Sequence, residues 1–348
     1  MSYARANIHA MSGYVPGEQP QQGRVIKLNT NENPYRCSPA VDEAVRGILG
    51  EGLRKYPHPM AQPFREKAAE VLDVPPDWIL CGNGSDDILT ICTRTFVGEG
   101  KLLRLPYPSY ILYKTLAEIQ AARSEEVPFR KDWSLSPEFG AAAQGLRFVF
   151  LPNPNSPSGT MIAREDILAL ARRLPCPLLV DEAYADFAGF NCLDLVAKDE
   201  RIMVSRTLSK SYALAGLRFG YIVAQPHMIE EMTKVKDSYN CDAPAIAAAT
   251  AAVADRAWLE ENRAKILKTR DRLAARMRDL GFEVVDSQAN FVWCPHPSRP
   301  VKPIFEALKS KGIFVRYMHY ENWGDGLRIS VGTDEQTDRC VDEIAALM

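Results

Sequence analysis

Lys210 stands in the run Arg206-Thr207-Leu208-Ser209-Lys210-Ser211-Tyr212, directly after an apolar segment, and Arg218 follows in Ala215-Gly216-Leu217-Arg218. A lysine flanked by hydroxyls at a strand end, with a forked guanidinium close by, suits a nucleophilic amine beside a phosphate clamp. A solvent-exposed loop lysine is the plainer alternative. A second run, Leu178-Leu179-Val180-Asp181-Glu182-Ala183-Tyr184, ends an apolar strand on an acid. A desolvated carboxylate there needs a partner, either a protonated ring nitrogen of a cofactor or a structural cation; Tyr184 would reach the same ring. In a third, Cys81-Gly82-Asn83-Gly84-Ser85-Asp86-Asp87, a strand passes through two glycines into a helix start. Such a turn offers backbone N–H groups and a helix dipole to an anion, although a glycine turn with a Ser/Asp cap accounts for it equally. The fourth, Asn153-Pro154-Asn155-Ser156-Pro157-Ser158-Gly159, is either a plain loop or a source of amide and hydroxyl donors.

The elements that must position these groups follow from the apolar pattern. Short apolar runs, Trp78 to Cys81, Lys101 to Leu105, Arg147 to Leu151, Leu178 to Val180, Arg201 to Arg206 and Phe219 to Ala224, read as strands. Helical patterns separate them, such as Ser85 to Val97 behind a Ser N-cap. Alternation of this kind predicts an α/β protein with a mainly parallel sheet, and all four polar clusters fall where strands end, which is where open α/β sheets bind ligands. After Pro244 the texture changes to a long charged helix reaching Leu280. Extended segments over Phe282 to Cys294, a helix over Pro303 to Lys311, strands over Ile313 to Tyr317 and Leu327 to Val331, and a helix over Asp334 to Leu347 complete the chain. The division expected is an N-terminal arm over 1–30, a large domain over 31–240 and a smaller α+β domain over 241–348.

Composition narrows the function classes. With 348 residues, 46% apolar and 25% charged, and a formal charge of only -2, the chain is an ordinary globular protein with a sizeable core. No basic excess points to nucleic acid, and no segment is apolar and long enough for a membrane span. The start, MSYARANIHAMSGY, lacks an apolar stretch after a basic one, so a cytoplasmic protein is expected. Eight cysteines without a C-x-x-C pair and five histidines without ligand spacing suggest no metal site. The glycine turn partly mimics G-x-G-x-x-G, but Asp87 occupies the third glycine position and the next strand carries no acid for a ribose, so a nicotinamide cofactor is discounted.

Taken together and in order, these motifs resemble those of the fold-type-I pyridoxal-phosphate (PLP) aminotransferases, and of the histidinol-phosphate aminotransferases among them. The resemblance runs from Leu28-Asn29-Thr30-Asn31-Glu32-Asn33-Pro34-Tyr35 through Tyr56-Pro57, Tyr107-Pro108-Ser109-Tyr110 and the four clusters to Leu327-Arg328-Ile329-Ser330-Val331-Gly332. It implies an aspartate-aminotransferase-like large PLP-binding domain. Lys210 would hold the cofactor as a Schiff base, Asp181 would pair with its ring nitrogen, and Tyr184 would hydrogen-bond the ring O3′. Gly84, the N–H groups of Ser85 and Asp86, Thr207, Ser209 and Arg218 would hold the phosphate, joined by Tyr56 from a second subunit, which makes a homodimer necessary. Tyr110 would stack on the ring. Where the family has Asn-Pro-Asn-Asn-Pro-Thr-Gly this chain has Ser156 at the O3′-contacting position; its hydroxyl or the neighbouring Asn155 must take over, and Asn155 is the choice made here.

The reaction implied is transfer of an amino group from histidinol phosphate to 2-oxoglutarate, with Arg328, Arg316, Asn33 and Tyr14 binding substrate. Aromatic amino-acid transamination and decarboxylation of threonine phosphate use the same cofactor residues, and pockets of this type separate such substrates by only about 1–3 kcal/mol. A non-catalytic PLP-binding regulator is a rival of another class, against which stands the absence of a basic helix-turn-helix before Leu28.

Overall fold

The structure, a computed structural model, describes residues 3–13, 17–19 and 25–348. In chain order its helices are α1 (Ala6–Ala10), α2 (Pro39–Ile48), α3 (Gln62–Leu72), α4 (Ser85–Phe96), α5 (Leu112–Ile119), α6 (Arg164–Arg173), α7 (Pro226–Thr233), α8 (Ala243–Ala254), α9 (Arg256–Asp279), α10 (Lys302–Ser310) and α11 (Asp334–Ala345). Its strands are β1 (Ile26–Leu28), β2 (Ile79–Gly82), β3 (Leu102–Tyr107), β4 (Arg123–Pro128), β5 (Leu146–Pro152), β6 (Leu178–Asp181), β7 (Ile202–Thr207), β8 (Gly220–Val223), β9 (Phe291–Cys294), β10 (Ile313–Tyr320) and β11 (Gly324–Ser330).

Seven strands form one sheet in the order β2-β8-β7-β6-β5-β3-β4. All run parallel except β8, which is antiparallel to both β2 and β7. Strands covered on both faces read as unbroken apolar runs, and the alternation that such runs conceal appears in the packing. Val149, Leu151, Leu178, Val180, Ile202 and Val204 point into one core; Phe148, Phe150, Leu179 and Met203, the residues between them, point into the other. Buried residues of α3, α6 and α8 fill the first core, and those of α4, α5 and α7 fill the second.

A four-stranded sheet, β1-β10-β11-β9, lies apart from the first. β1 pairs parallel with β10, placing Ile26 opposite Ile313, and the other pairs are antiparallel. Its core joins Val292, Leu327 and Ile329 to Leu273 and Met277 of α9, Ile304 and Leu308 of α10, and Val341 and Ile344 of α11.

Several boundaries differ from the sequence reading. The texture change at Pro244 is not a change of core: Ala245, Ile246, Ala248 and Ala249 of α8 pack with the large sheet, and after them the chain enters the small sheet's core only from Leu273, within α9. Of the extended stretch expected over Phe282 to Cys294, only β9 is strand. The N-cap of α4 is Gly84, at φ +83°, with Ser85 as the first helical residue and no side-chain cap.

Candidate active site

The parallel strands deliver the four polar clusters to one edge of the sheet, where β10 and β11 of the smaller sheet close over them. The pocket between has a volume of about 700 Å³ and is lined from both sides, by Lys210, Asp181 and Ser85 on one and by Arg316, Tyr320 and Arg328 on the other.

Asp181 is the last residue of β6 and is 5% exposed. Tyr113 Oη donates to its Oδ2 at 2.7 Å, while Ser205 Oγ and the Ala183 N–H donate to Oδ1, each at 3.2 Å. Burial pushes the carboxyl up, and the Tyr113 and Ser205 hydrogen bonds pull it back. Among the described residues no cation pairs with it. A buried acid on a pocket wall, supported only by neutral donors, is a site for a cationic ligand atom.

Lys210 follows β7 and points its Nζ at the Thr30 carbonyl, 3.0 Å away. Burial, reinforced by Arg328, lowers its ammonium from 10.5 to about 8 against the opposing pull of Glu32 and Asp86. Near neutral pH roughly a tenth of the side chain is therefore the free, nucleophilic amine, far more than for an ordinary lysine. The chain around it is held by Asn33, whose amide donates to the Lys210 and Ser211 carbonyls at 3.1 and 3.0 Å. Asn33 thus does not reach the pocket as a substrate ligand; its side chain is committed to the lysine loop.

The start of α4 faces the same pocket. Arg218 donates to Ser209 Oγ and to Asp86 Oδ2, both at 3.3 Å, and Thr207 Oγ1 donates to Ser209 Oγ at 3.0 Å. Backbone proximity here depends on two glycines. A Cβ on Gly84 would lie 2.6 Å from the Arg218 guanidinium, and one on Gly220 would lie 2.5 Å from the Ser85 nitrogen. An uncapped helix N-terminus, two hydroxyls and a guanidinium make an anion cradle sized for phosphate.

Tyr184 accepts a hydrogen bond from the Asn31 amide at 2.9 Å, and Asn31 is fixed in turn by Ser330 and Asn290. Tyr110 lies on the pocket wall, edge-on to Tyr113, and donates to Asp86 at 3.3 Å. Arg328 and Arg316 are directly opposite each other on β11 and β10. The first donates to Ser156 Oγ at 2.9 Å and the Asn29 carbonyl at 3.0 Å, and its buried Nε has no partner. A guanidinium that lines a pocket suits an incoming anion.

The choice of Asn155 over Ser156 is reversed. Asn155 turns its amide to the Pro108 carbonyl and Ser158, away from the pocket, whereas Ser156 lines it. Tyr56 lies outside its own chain's pocket, 81% exposed and stacked on Tyr239, and Tyr14 lies outside the described residues. The sequence reading missed Tyr113, Ser205, Asn31 and Gly220. A tyrosine one helical turn after Tyr110 was the available signal for the first; the others depend on pairing between distant strands.

A family model of the class I and II aminotransferases matches residues 23–344. The chain belongs to that family. This aminotransferase is 58% identical over 338 residues to the histidinol-phosphate aminotransferase of Rhodopirellula baltica, covering 97% of this chain and 93% of that one. It is 45% identical over 336 residues to histidinol-phosphate aminotransferase 1 of Trichormus variabilis, covering 96% of each. Its fold matches the histidinol-phosphate aminotransferase of Sinorhizobium meliloti in complex with pyridoxal 5′-phosphate at a TM-score of 0.90 and 26% identity, over 100% of this chain and 99% of that one. A Thermus thermophilus aspartate aminotransferase mutant, at a TM-score of 0.83 and 21% identity, shares the fold, which is the fold-type-I arrangement. The residues of this aminotransferase fit a phosphate-bearing pyridine: the buried Asp181 carboxyl, met only by neutral donors, the α4 cradle with Arg218, and the Lys210 amine line one pocket. Among the described residues no cluster of His, Cys, Asp or Glu is arranged to hold a metal, and no helix is long and apolar enough to cross a membrane.

Proposed function

We propose that this aminotransferase binds pyridoxal phosphate on Lys210 and transfers the amino group of histidinol phosphate to 2-oxoglutarate, yielding imidazole acetol phosphate and glutamate in histidine biosynthesis. The observation that carries the reading is the buried Asp181, unpaired by any described cation, in the same pocket as the Lys210 amine. The substrate rests on the relatives that bear this name over nearly the whole chain.

When bound, pyridoxal phosphate supplies an electron sink that acidifies the substrate α-carbon and carries the amino group between substrates. Asp181, with Tyr113 and Ser205 behind it, would keep the ring nitrogen protonated. Burial and the neighbouring carboxylate raise Tyr113 well above its ordinary value, so it stays a donor to Asp181 throughout. Tyr184 and Ser156 offer hydroxyls to the ring oxygen. Gly84, Ser85, Asp86, Thr207, Ser209 and Arg218 would hold the phosphate, and Tyr110 would pack against the ring. Lys210 Nζ, whose proton affinity burial has lowered, would take the proton from the α-carbon and hold it. Arg328, supported by Arg316, meets the substrate phosphate in one half of the reaction and the distal carboxylate of 2-oxoglutarate in the other, a task suited to a planar fork.

We further infer a homodimer in the cytoplasm, with Tyr56 completing the partner's phosphate site, and a division into an N-terminal arm, a large cofactor-binding domain and a small C-terminal domain. The packing of α8 supports moving the second boundary from 240 into α9.

The test is an absorbance spectrum of the purified protein, repeated after L-histidinol phosphate alone and then after 2-oxoglutarate. Loss of the visible cofactor band with the first, its return with the second, and glutamate formation are expected. A band indifferent to histidinol phosphate overturns the substrate; no band after incubation with pyridoxal phosphate overturns the cofactor.

A further inference from the structure

Behind the pocket floor, outside every role assigned above, lies a buried ion cluster. Arg206 of β7 is 7% exposed at its side chain, and its Nε lies 2.8 Å from Glu182 Oε2, whose side chain is fully buried. Its NH1 lies 2.7 Å from Asp186 Oδ1. Glu182 is further fixed by the Cys192 N–H. The second oxygen of Asp186 accepts a hydrogen bond from Ser211 Oγ at 2.5 Å, and its backbone carbonyl accepts one from Arg263 of α9 at 2.6 Å. Three charges removed from water contribute little net stability compared with apolar side chains of the same volume, so their presence calls for another account.

Position supplies it. Glu182 and Asp186 flank Tyr184 in the turn that follows Asp181, while Arg206 and Ser211 flank Lys210 on the neighbouring strand and loop. The two chain segments that carry the three reactive side chains are therefore bolted together twice, once by Arg206 and once by the Asp186–Ser211 hydrogen bond. Asn33 secures the same loop from the opposite side through the Lys210 and Ser211 carbonyls.

We propose that Asp186, clamped by Arg206, is a positioning residue acting through Ser211: it fixes the height of the Lys210 backbone relative to Asp181 and Tyr184. Substrate anions are held elsewhere, by Arg328, so the brace governs the lysine and leaves ground-state binding of the substrates alone. This inference rests on Lys210 as the attachment point, and its test keeps the two apart.

Ser211→Ala cuts the tie and leaves the three charges paired; Ser211→Thr retains the hydroxyl. Cofactor-free wild-type, Ser211→Ala and Ser211→Thr proteins are incubated with pyridoxal phosphate, trapped with borohydride at set times and digested, and the modification of Lys210 is quantified by mass spectrometry. Loaded proteins are then assayed for kcat and for KM of both substrates. A misplacement of the order of 1 Å is worth up to about a hundredfold in rate. Ser211→Ala is expected to attach the cofactor at least about tenfold more slowly, and to lose kcat by a similar factor with both KM values within about twofold, while Ser211→Thr recovers most of both. Wild-type attachment and kcat in Ser211→Ala overturn the brace, as does a loss shared equally by Ser211→Thr. Failure of the wild-type protein to trap the cofactor on Lys210 overturns the parent reading instead.

Discussion

Replacing Lys210 with methionine removes the group on which activity is proposed to depend, yet it should stabilise the cofactor-free fold. The ammonium is drawn out of water into a pocket shared with Arg328 and Arg218, and this lowers it from 10.5 to about 8. At about 1.36 kcal/mol per pH unit, that difference corresponds to about 3 kcal/mol of preference for the neutral form in the folded state. The sign follows from proton counting. Between pH 8 and 10.5 the unfolded chain binds a proton that the folded chain does not, so stability rises with pH across that window. Below pH 8 both states are protonated and the folded protein bears the whole penalty. Lys210→Met should therefore gain up to about 3 kcal/mol at pH 7 and less than about 1 kcal/mol at pH 10. Urea unfolding of the cofactor-free proteins at one protein concentration and both pH values measures this. A variant no more stable than wild type at pH 7, or a gain that persists undiminished at pH 10, would refute the reasoning.

Tyr113→Phe deletes a hydrogen bond to the Asp181 carboxylate, worth about 1.5–3 kcal/mol as a bond to a charged acceptor; kcat should fall roughly ten- to a hundredfold while the KM values for both substrates hold steady in steady-state assays. Arg328→Lys keeps the charge and loses the fork, so KM for 2-oxoglutarate should rise by about a hundredfold, an outcome read directly from saturation curves. In Gly220→Ala the new methyl group would meet the Ser85 nitrogen at 2.5 Å and the Gly84 carbonyl carbon at 2.6 Å. Because both contacts are backbone, the α4 cradle must shift, and equilibrium titration should find pyridoxal phosphate bound at least about tenfold more weakly, alongside a lowered Tm.

What the sequence made legible was what is local and buried. Leu178 to Val180 and Phe148 to Leu151 stand out because a strand covered on both faces has no polar positions, and Asp181 and Lys210 stand out because each interrupts or follows such a run. β4, with the sequence Arg-Ser-Glu-Glu-Val-Pro, escaped notice because it is an edge strand carrying charges, two of which pair with Arg104 and Lys114. β1 escaped because three residues carry no periodicity and its partner is far along the chain. Ser156 and Asn155 were exchanged for a different reason. Both are compatible with the motif, and which one faces the pocket is decided by backbone direction within a turn that no local pattern encodes. Asn33 was misread likewise: a polar side chain near a site can serve the loop that carries the reactive group instead of the ligand.

The pairing of Ile26 with Ile313 has a consequence for how the protein is made. During synthesis, β1 and the Asn29–Asn33 segment that follows it leave the ribosome early, but the strand they must join appears about 290 residues later, a wait of roughly 15–60 s at ordinary elongation rates. Over that interval the large sheet has everything it needs to fold, while the pocket lacks Asn31 on Tyr184 and the Thr30 carbonyl on Lys210. Maturation of the site therefore waits on the synthesis of β10. The nascent polypeptide gains a finished binding pocket only when β1 meets β10 in the small sheet, and a ribosome stalled before Ile313 would carry a folded large sheet with an unfinished site.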